Sequence, residues 1–278
     1  MEQQRGRVAF ALGGGGVLGA HEVGMLQALF EADVRPDLVV GTSVGAINGA
    51  MVAADPDEDA IRRLAQLWTK IGRADVFGGS LAARVGTLVR SGTHLHDNAS
   101  LRQLLTTHLP VAQFEDLVVP FQCVAASIQQ AGAHWFSTGS LVDAVLASSA
   151  VPGLLPPVEI DGEHFLDGGL VHSIPVGRAV SLGATEVYVL QVGRVEEPLT
   201  PPTGPLQVGV VAFEIARRHR FVEEMRQLPA DVTVHVLPSG DPPKADLSQL
   251  RYRDFSKVGD RIRRAYEASA EYLREQAR

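Results

Sequence analysis

Apolar and polar positions follow two rhythms along this chain, one of short solid runs and one of helical spacing. Val8 to Leu12 is an apolar run that stops at four glycines, Gly13 to Gly16. It predicts a buried strand closed by a turn. Val23, Leu26, Gln27 and Phe30 then recur at helical spacing. Leu38-Val39-Val40 predicts a second buried strand, and the small apolar residues of 44–54 predict a buried helix. Asp55-Pro56 predicts the next helix start, a capping carboxylate followed by a proline in the first turn. Its inward face is Ile61, Leu64, Ala65, Trp68 and Ile71. A further helix is expected from about Ala99, capped by Asp97 or Asn98, with Leu101, Leu104 and Leu105 inward.

The second half repeats the alternation. Leu117 to Ile128 reads as a strand, with His134-Trp135-Phe136 pairing nearby, and Leu141 to Ala147 as a helix that ends before Pro152. Val158 to Ile160 and Glu163 to Leu166 flank Asp161-Gly162, a two-residue hairpin signal. Glu186 to Val192 predicts another strand. Two helices flank one more strand near Val232 to Leu237, and the last helix aligns Phe255, Val258, Ile262, Tyr266, Ser269 and Leu273. Residues 193–206 carry Pro198, Pro201, Pro202 and Pro205 and predict a surface connection. Residues 77–96 scatter apolar side chains among Gly78, Gly79, Gly86 and Gly92, and predict an irregular rim over a substrate pocket. Strands alternating with helices from end to end predict an α/β layered sheet. No internal repeat or shift in composition divides the chain, so residues 1–278 are expected to form a single domain.

Composition narrows the function classes. With 45% hydrophobic and 21% charged residues over 278 positions, the chain is neither disordered nor a disulfide scaffold. A net charge of −7 argues against a nucleic-acid partner. The one cysteine, Cys123, excludes an internal disulfide and is expected in the core. The polar start, Met1 to Arg7, lacks the pattern of a signal peptide. The uncharged, apolar stretch of residues 38–54 falls short of the roughly 20 apolar residues of a membrane span. A soluble, cytoplasmic protein is expected, with any membrane contact peripheral. The sequence leaves the oligomeric state open.

Three segments carry candidate chemistry. Gly41-Thr42-Ser43-Val44-Gly45 is a G-x-S-x-G pentad between a predicted strand and a predicted helix, the setting of a nucleophile elbow. The strip Gly13 to Gly16, followed by Val17-Leu18-Gly19, bares backbone N–H groups at a helix start and can cradle an anion. Gly14, Gly16 and Gly19 also match G-x-G-x-x-G, which keeps a nucleotide-binding reading open. That reading needs an acidic residue at the end of the second strand, where this chain has Gly41-Thr42-Ser43. Asp167-Gly168-Gly169 follows the hairpin and offers a base. None of the nine histidines sits in a recognisable triad setting; His172 is the nearest rival to Asp167. Arg217-Arg218-His219-Arg220 reads as a solvated helix face. No cluster has metal-ligand spacing.

Together these segments resemble the patatin-like phospholipase family. The glycine strip, Gly41 to Ala46 and Asp167-Gly168-Gly169 occur in the family's order. His96 to Leu101, Ala147 to Gly153, Pro156-Pro157 and Pro175 look similar too. The resemblance covers residues 7–192. It implies a three-layer α/β/α sandwich with a central, mostly parallel sheet, and a Ser-Asp dyad without histidine. By position it makes Ser43 the nucleophile, Asp167 the general base and the N–H groups of Gly14, Gly15 and Gly16 the oxyanion hole. It implies no cofactor or metal. One departure is clear: the family's strip usually continues into Arg-Gly, and here it reads Leu18-Gly19. The implied activity is hydrolysis of carboxylic esters of phospholipids, lysophospholipids or related lipids through an acyl-enzyme. An acyltransferase using the same acyl-serine, a nucleotide-binding protein and a non-catalytic lipid-binding member are the alternatives.

Overall fold

A computed structural model of the chain describes residues 6–73, 96–192, 198–202, 204–241 and 257–278. The expected rim thus lies outside the described residues except for His96, as do Phe255 and residues 193–197 and 203 of the proline-rich connection.

Period-two alternation in the first strand, β1 (Val8–Leu12), sets the layers. Phe10 and Leu12 face one side of the sheet. There they pack with Val23, Leu26 and Phe30 of α1 (Ala20–Glu31), with α2 (Val44–Ala54), and with Val258 and Ala265 of the last helix, α8 (Val258–Gln276). Ala9 and Ala11 face the other side. They join Val40, Val187 and Val189 beneath α6 (Val176–Ser181) and the long α7 (Pro205–Arg226). Each fully buried large side chain on these faces contributes roughly 1.5–3 kcal/mol through burial. Helices α1 and α8 meet at Gly24, where a Cβ would lie 2.1 Å from the Ile262 carbonyl oxygen.

The remaining helices are α3 (Glu58–Arg73), α4 (Ala99–His108) and α5 (Leu141–Ser148). The remaining strands are β2 (Leu38–Thr42), β3 (Phe121–Ser127), β4 (Gly132–Phe136), β5 (Val158–Ile160), β6 (Glu163–Asp167), β7 (Glu186–Leu190) and β8 (Thr233–Val236). All eight strands of the described residues belong to one sheet. Strands β8, β7, β1, β2 and β3 run parallel, and β4, β6 and β5 add antiparallel pairs beyond β3. This is the expected α/β/α sandwich.

One detail of register positions the site. Val124 of β3 pairs with Thr42 of β2 and, on its other edge, with Trp135 of β4. The next residue, Ala125, pairs with His134 of β4 and with Asp167 of β6. Strands β2 and β6 therefore approach head-on along one edge of β3 and stop at adjacent rungs. The Asp161-Gly162 turn delivers β6 to this place. Both residues have positive φ, 52° and 79°, and Ile160 pairs with Glu163, as a two-residue hairpin requires.

Some boundaries differ from the expectation. Asp57, not Asp55, caps α3: its Oδ1 accepts from the Ala60 N–H at 2.6 Å, while Asp55 pairs with Arg63. Pro56 therefore precedes the cap. Asp97 accepts from the Ala99 N–H at 3.0 Å, and the Asn98 side chain makes no capping bond. Strand β3 begins at Phe121, because residues 114–117 form a tight turn and Pro120 has no N–H for a ladder. Strand β7 ends at Leu190, where its partner β1 turns off into the glycines.

Candidate active site

The turn from β2 into α2 makes Ser43 an elbow. Its φ is 55° and ψ −122°, a backbone conformation a serine adopts only under constraint. The constraint is close packing on both sides. A Cβ on Gly41 would lie 2.5 Å from the Gly45 carbonyl oxygen, and one on Gly45 would lie 2.4 Å from that of Leu12. The Ser43 N–H donates to Ser148 Oγ at 2.9 Å, which ties the elbow to the end of α5. Thr42 Oγ1 donates to the His172 carbonyl oxygen at 2.6 Å.

Because β2 and β6 end at adjacent rungs, Ser43 and Asp167 meet. Ser43 Oγ donates to Asp167 Oδ2 at 2.6 Å, and the Gly169 N–H donates to Asp167 Oδ1 at 2.7 Å. Asp167 is buried. Burial raises its pKa to about 6, against the opposing pull of the bonds from Ser43 and Gly169. The carboxyl is thus a stronger base than an exposed aspartate and is ionised near neutral pH.

His172 lies close by in sequence but is otherwise engaged. Its Nδ1 is 2.6 Å from Glu224 Oε1 and its Nε2 is 3.3 Å from Arg220 Nη2. Both ring nitrogens therefore face α7, and neither partners Ser43.

The glycine strip runs alongside Ser43: a Cβ on Gly14 would lie 3.4 Å from Ser43 Cβ. Its three glycines are not equivalent. The Gly14 N–H donates to the Ser173 carbonyl oxygen at 2.8 Å, so it is committed within the protein. Gly14 is thereby corrected from an expected oxyanion donor to an anchor of the strip. The Gly15 and Gly16 N–H groups, and that of Val44 at the start of α2, have no acceptor among the described residues. These three are the available donors.

Beneath the strip lies a buried polar chain. Asn48 Nδ2 donates to the Gly19 carbonyl oxygen at 3.0 Å and to Glu22 Oε2 at 2.7 Å, and Trp68 Nε1 donates to Asn48 Oδ1 at 2.9 Å. From the other side, Arg217 Nη1 of α7 donates to the Gly14 carbonyl oxygen at 3.3 Å. The arginine is buried, contrary to the expectation of a solvated face, because α7 packs across the strip end of the sheet. Sequence reasoning missed Ser148, Val44, Asn48 and Glu22, and read Arg217 as solvated; only the exclusion of charge from apolar helix faces could have marked Glu22.

The nucleotide reading loses its acid. Asp37 Oδ2 accepts from the Val8 N–H at 2.9 Å at the start of β1, the opposite end of the strand from the strip, and Asp33 is exposed. Among the described residues no group of three His, Cys, Asp or Glu side chains is placed to hold a metal.

Comparison with known proteins bears on this constellation. Residues 10–180 match the sequence profile of the family described as Patatin-like phospholipase. The lysophospholipase nte1 of Emericella nidulans is 32% identical over 198 residues, covering 68% of this chain and 12% of that protein. Human patatin-like phospholipase domain-containing protein 6 is 32% identical over 192 residues, covering 68% of this chain and 14% of that protein. The chain thus spans about an eighth of the length of these relatives. The crystal structure of VipD from Legionella pneumophila overlaps 97% of this chain and 67% of that one, at 14% identity and a TM-score of 0.47.

Proposed function

The chain belongs to the patatin-like phospholipase family, and from that premise we propose that it is a serine acyl hydrolase. Its substrates are carboxylic esters of phospholipids, lysophospholipids or related lipids. The observation that carries this reading is the 2.6 Å hydrogen bond from Ser43 Oγ to a buried aspartate whose pKa is about 6, with His172 partnered elsewhere.

In this reading Ser43 Oγ attacks the ester carbonyl carbon as its proton passes to Asp167 Oδ2. The carbonyl oxygen becomes an oxyanion facing the N–H groups of Gly15, Gly16 and Val44, each such donor contributing about 10²–10³ in rate. Collapse of the tetrahedral intermediate breaks the ester bond. Asp167 returns its proton to the departing alcohol and leaves an acyl ester on Ser43. A water molecule then attacks that ester with Asp167 again as base, releasing the carboxylic acid and restoring the serine. Because only the acceptor distinguishes hydrolysis from acyl transfer, the two share every step up to the acyl-enzyme.

The single sheet that gathers all eight strands of the described residues supports treating the chain as one domain. No helix among the described residues is long and apolar enough to cross a membrane, which fits peripheral contact with a lipid surface. A fluorophosphonate probe tests the reading. Labelling of Ser43, and loss of both labelling and p-nitrophenyl ester turnover in a Ser43→Ala protein that melts like the wild type, is the expected result. Undiminished turnover in that folded variant removes Ser43 as the nucleophile.

A further inference from the structure

Helix α7 lies outside the residues that match the family, yet it reaches the site. Arg217 and Gly14 are 203 positions apart in sequence and are joined by the 3.3 Å bond from Nη1 to the Gly14 carbonyl oxygen. We propose that Arg217 is a positioning residue for the oxyanion donors: it fixes and polarises the Gly14–Gly15 peptide so that the Gly15 N–H meets the developing oxyanion. The proposal rests on the acyl-hydrolase reading above.

Four observations carry it. First, Arg217 is only 5% exposed on a helix whose Val208 and Ile215 are each 55% exposed, so its burial is specific. Second, its charge is matched inside the protein by Glu214, whose Oε2 lies 3.1 Å from Nη2. A guanidinium buried in this way keeps its charge and concentrates it at the strip. Third, Gly14 is held at both ends, its N–H on the Ser173 carbonyl oxygen and its C=O on Arg217. In a trans peptide the C=O of one residue and the N–H of the next point in opposite directions. Fixing the Gly14 oxygen towards α7 therefore turns the Gly15 N–H away from it. Fourth, that N–H has no acceptor among the described residues. A cation bonded to the carbonyl end of a peptide draws electron density from its N–H and strengthens it as a donor. Val17 and Leu18, which follow the strip, are apolar, and the charge at this peptide comes from the distant helix.

Removing Arg217 alone would leave the buried Glu214 with only Arg218, at 3.4 Å, so the test compares Glu214→Gln with the double variant Glu214→Gln/Arg217→Met. With p-nitrophenyl butyrate the double variant is expected to lose roughly 10- to 100-fold in kcat with KM changed less than about twofold, as when a transition-state donor is misplaced. Glu214→Gln/Arg217→Lys should recover part of that loss. A purely structural arginine predicts a lowered melting temperature without a selective loss in kcat, and that result overturns the proposal. A second readout does not depend on turnover. In uniformly ¹⁵N-labelled protein the Gly15 amide resonance should move, and its hydrogen exchange should quicken, in the double variant relative to Glu214→Gln, while the Gly13 amide stays put. An unmoved Gly15 amide also overturns the proposal. A wild type without ester turnover refutes the acyl-hydrolase reading instead, and the amide measurement still decides whether Arg217 governs the peptide.

Discussion

The two sides of the site are held by different means. On the nucleophile side, backbone fixes the geometry: two strands end on adjacent rungs of β3, and close glycine contacts lock the elbow. Side chains add ties to that frame, Ser148 Oγ at the Ser43 N–H and Thr42 Oγ1 at the His172 carbonyl oxygen. On the glycine-strip side, the free N–H groups belong to a strip anchored by one backbone bond, Gly14 N–H to the Ser173 carbonyl oxygen, and otherwise buttressed by side chains from other elements, Asn48 of α2, backed by Trp68 of α3, and Arg217 of α7. The difference teaches where tolerance should lie. Changes to the dyad remove a chemical group and cannot be compensated, whereas changes at the strip move backbone and are reparable by a second substitution.

The largest effect is expected on the nucleophile side. Asp167→Asn keeps the shape of the side chain, and its oxygen can still accept from the Gly169 N–H, but its NH2 cannot accept from Ser43 Oγ and has no basicity. It should lower kcat/KM by about 10²–10⁴-fold, the range of a general base. Wild-type turnover should rise with pH through about 6 and then level, following ionisation of Asp167. Stability should run the other way. The native carboxyl holds its proton more tightly than the unfolded one, so its stabilising contribution is full below about pH 4 and is lost as pH rises through about 6. The asparagine variant escapes that loss, by up to about 3 kcal/mol at pH 7. Turnover profiles from pH 4 to 8 and melts of both proteins check this. A variant as active as wild type, or a flat profile, would show that Asp167 is not the base.

The strip should respond less, and reversibly. Gly15 has φ 172°, extended backbone that any residue can adopt, so conformation does not demand glycine there. Space does: a Cβ would lie 2.0 Å from Val192 Cγ2. Gly15→Ala is expected to push the strip off its position and lose roughly 10- to 100-fold in kcat. Gly15→Ala/Val192→Ala should recover most of it, because the obstructing methyl is gone. Steady-state kinetics of the two variants decide. A double variant as impaired as the single one would mean that the strip tolerates no side chain at all, and the contrast between the two sides would fall.

The same contrast explains what could be read from the chain. Ser43 was legible as a candidate because of its pentad between strand and helix, and Asp167 because Asp167-Gly168-Gly169 follows that pentad in the order of the family. The layers were legible because short apolar runs alternate with helical spacing from end to end of the chain. The inequality of the glycines was not legible. Gly14 loses its donor to the carbonyl of Ser173, a partner known only once β1 and the segment after β6 lie side by side. Arg217 sits in a run of basic residues that, as sequence, looks like any solvated helix face; only the packing of α7 over the strip singles it out. Asp55 drew the cap prediction because it precedes a proline, whereas the helix starts two residues later and hands the role to Asp57.

The smallest effect concerns the support beneath the strip. Glu22 is fully buried, and burial raises its pKa well above the ordinary carboxylate range despite the hydrogen bond from Asn48. The protonated form is therefore favoured, and the side chain acts as a neutral hydrogen-bonding group. Glu22→Gln preserves that size and neutrality, and its oxygen can accept from Asn48 Nδ2. Stability should change by no more than about 0.5 kcal/mol and kcat by no more than about twofold. Glu22→Ala instead opens a cavity and takes one acceptor from Asn48, at a cost of roughly 2–4 kcal/mol. Thermal melts and ester kinetics of the pair make the comparison. If glutamine proves as damaging as alanine, Glu22 is ionised in the native protein. The strip then rests on a buried anion beneath it as well as a buried cation beside it, and its position is set by charge on both sides instead of by neutral hydrogen bonds on one.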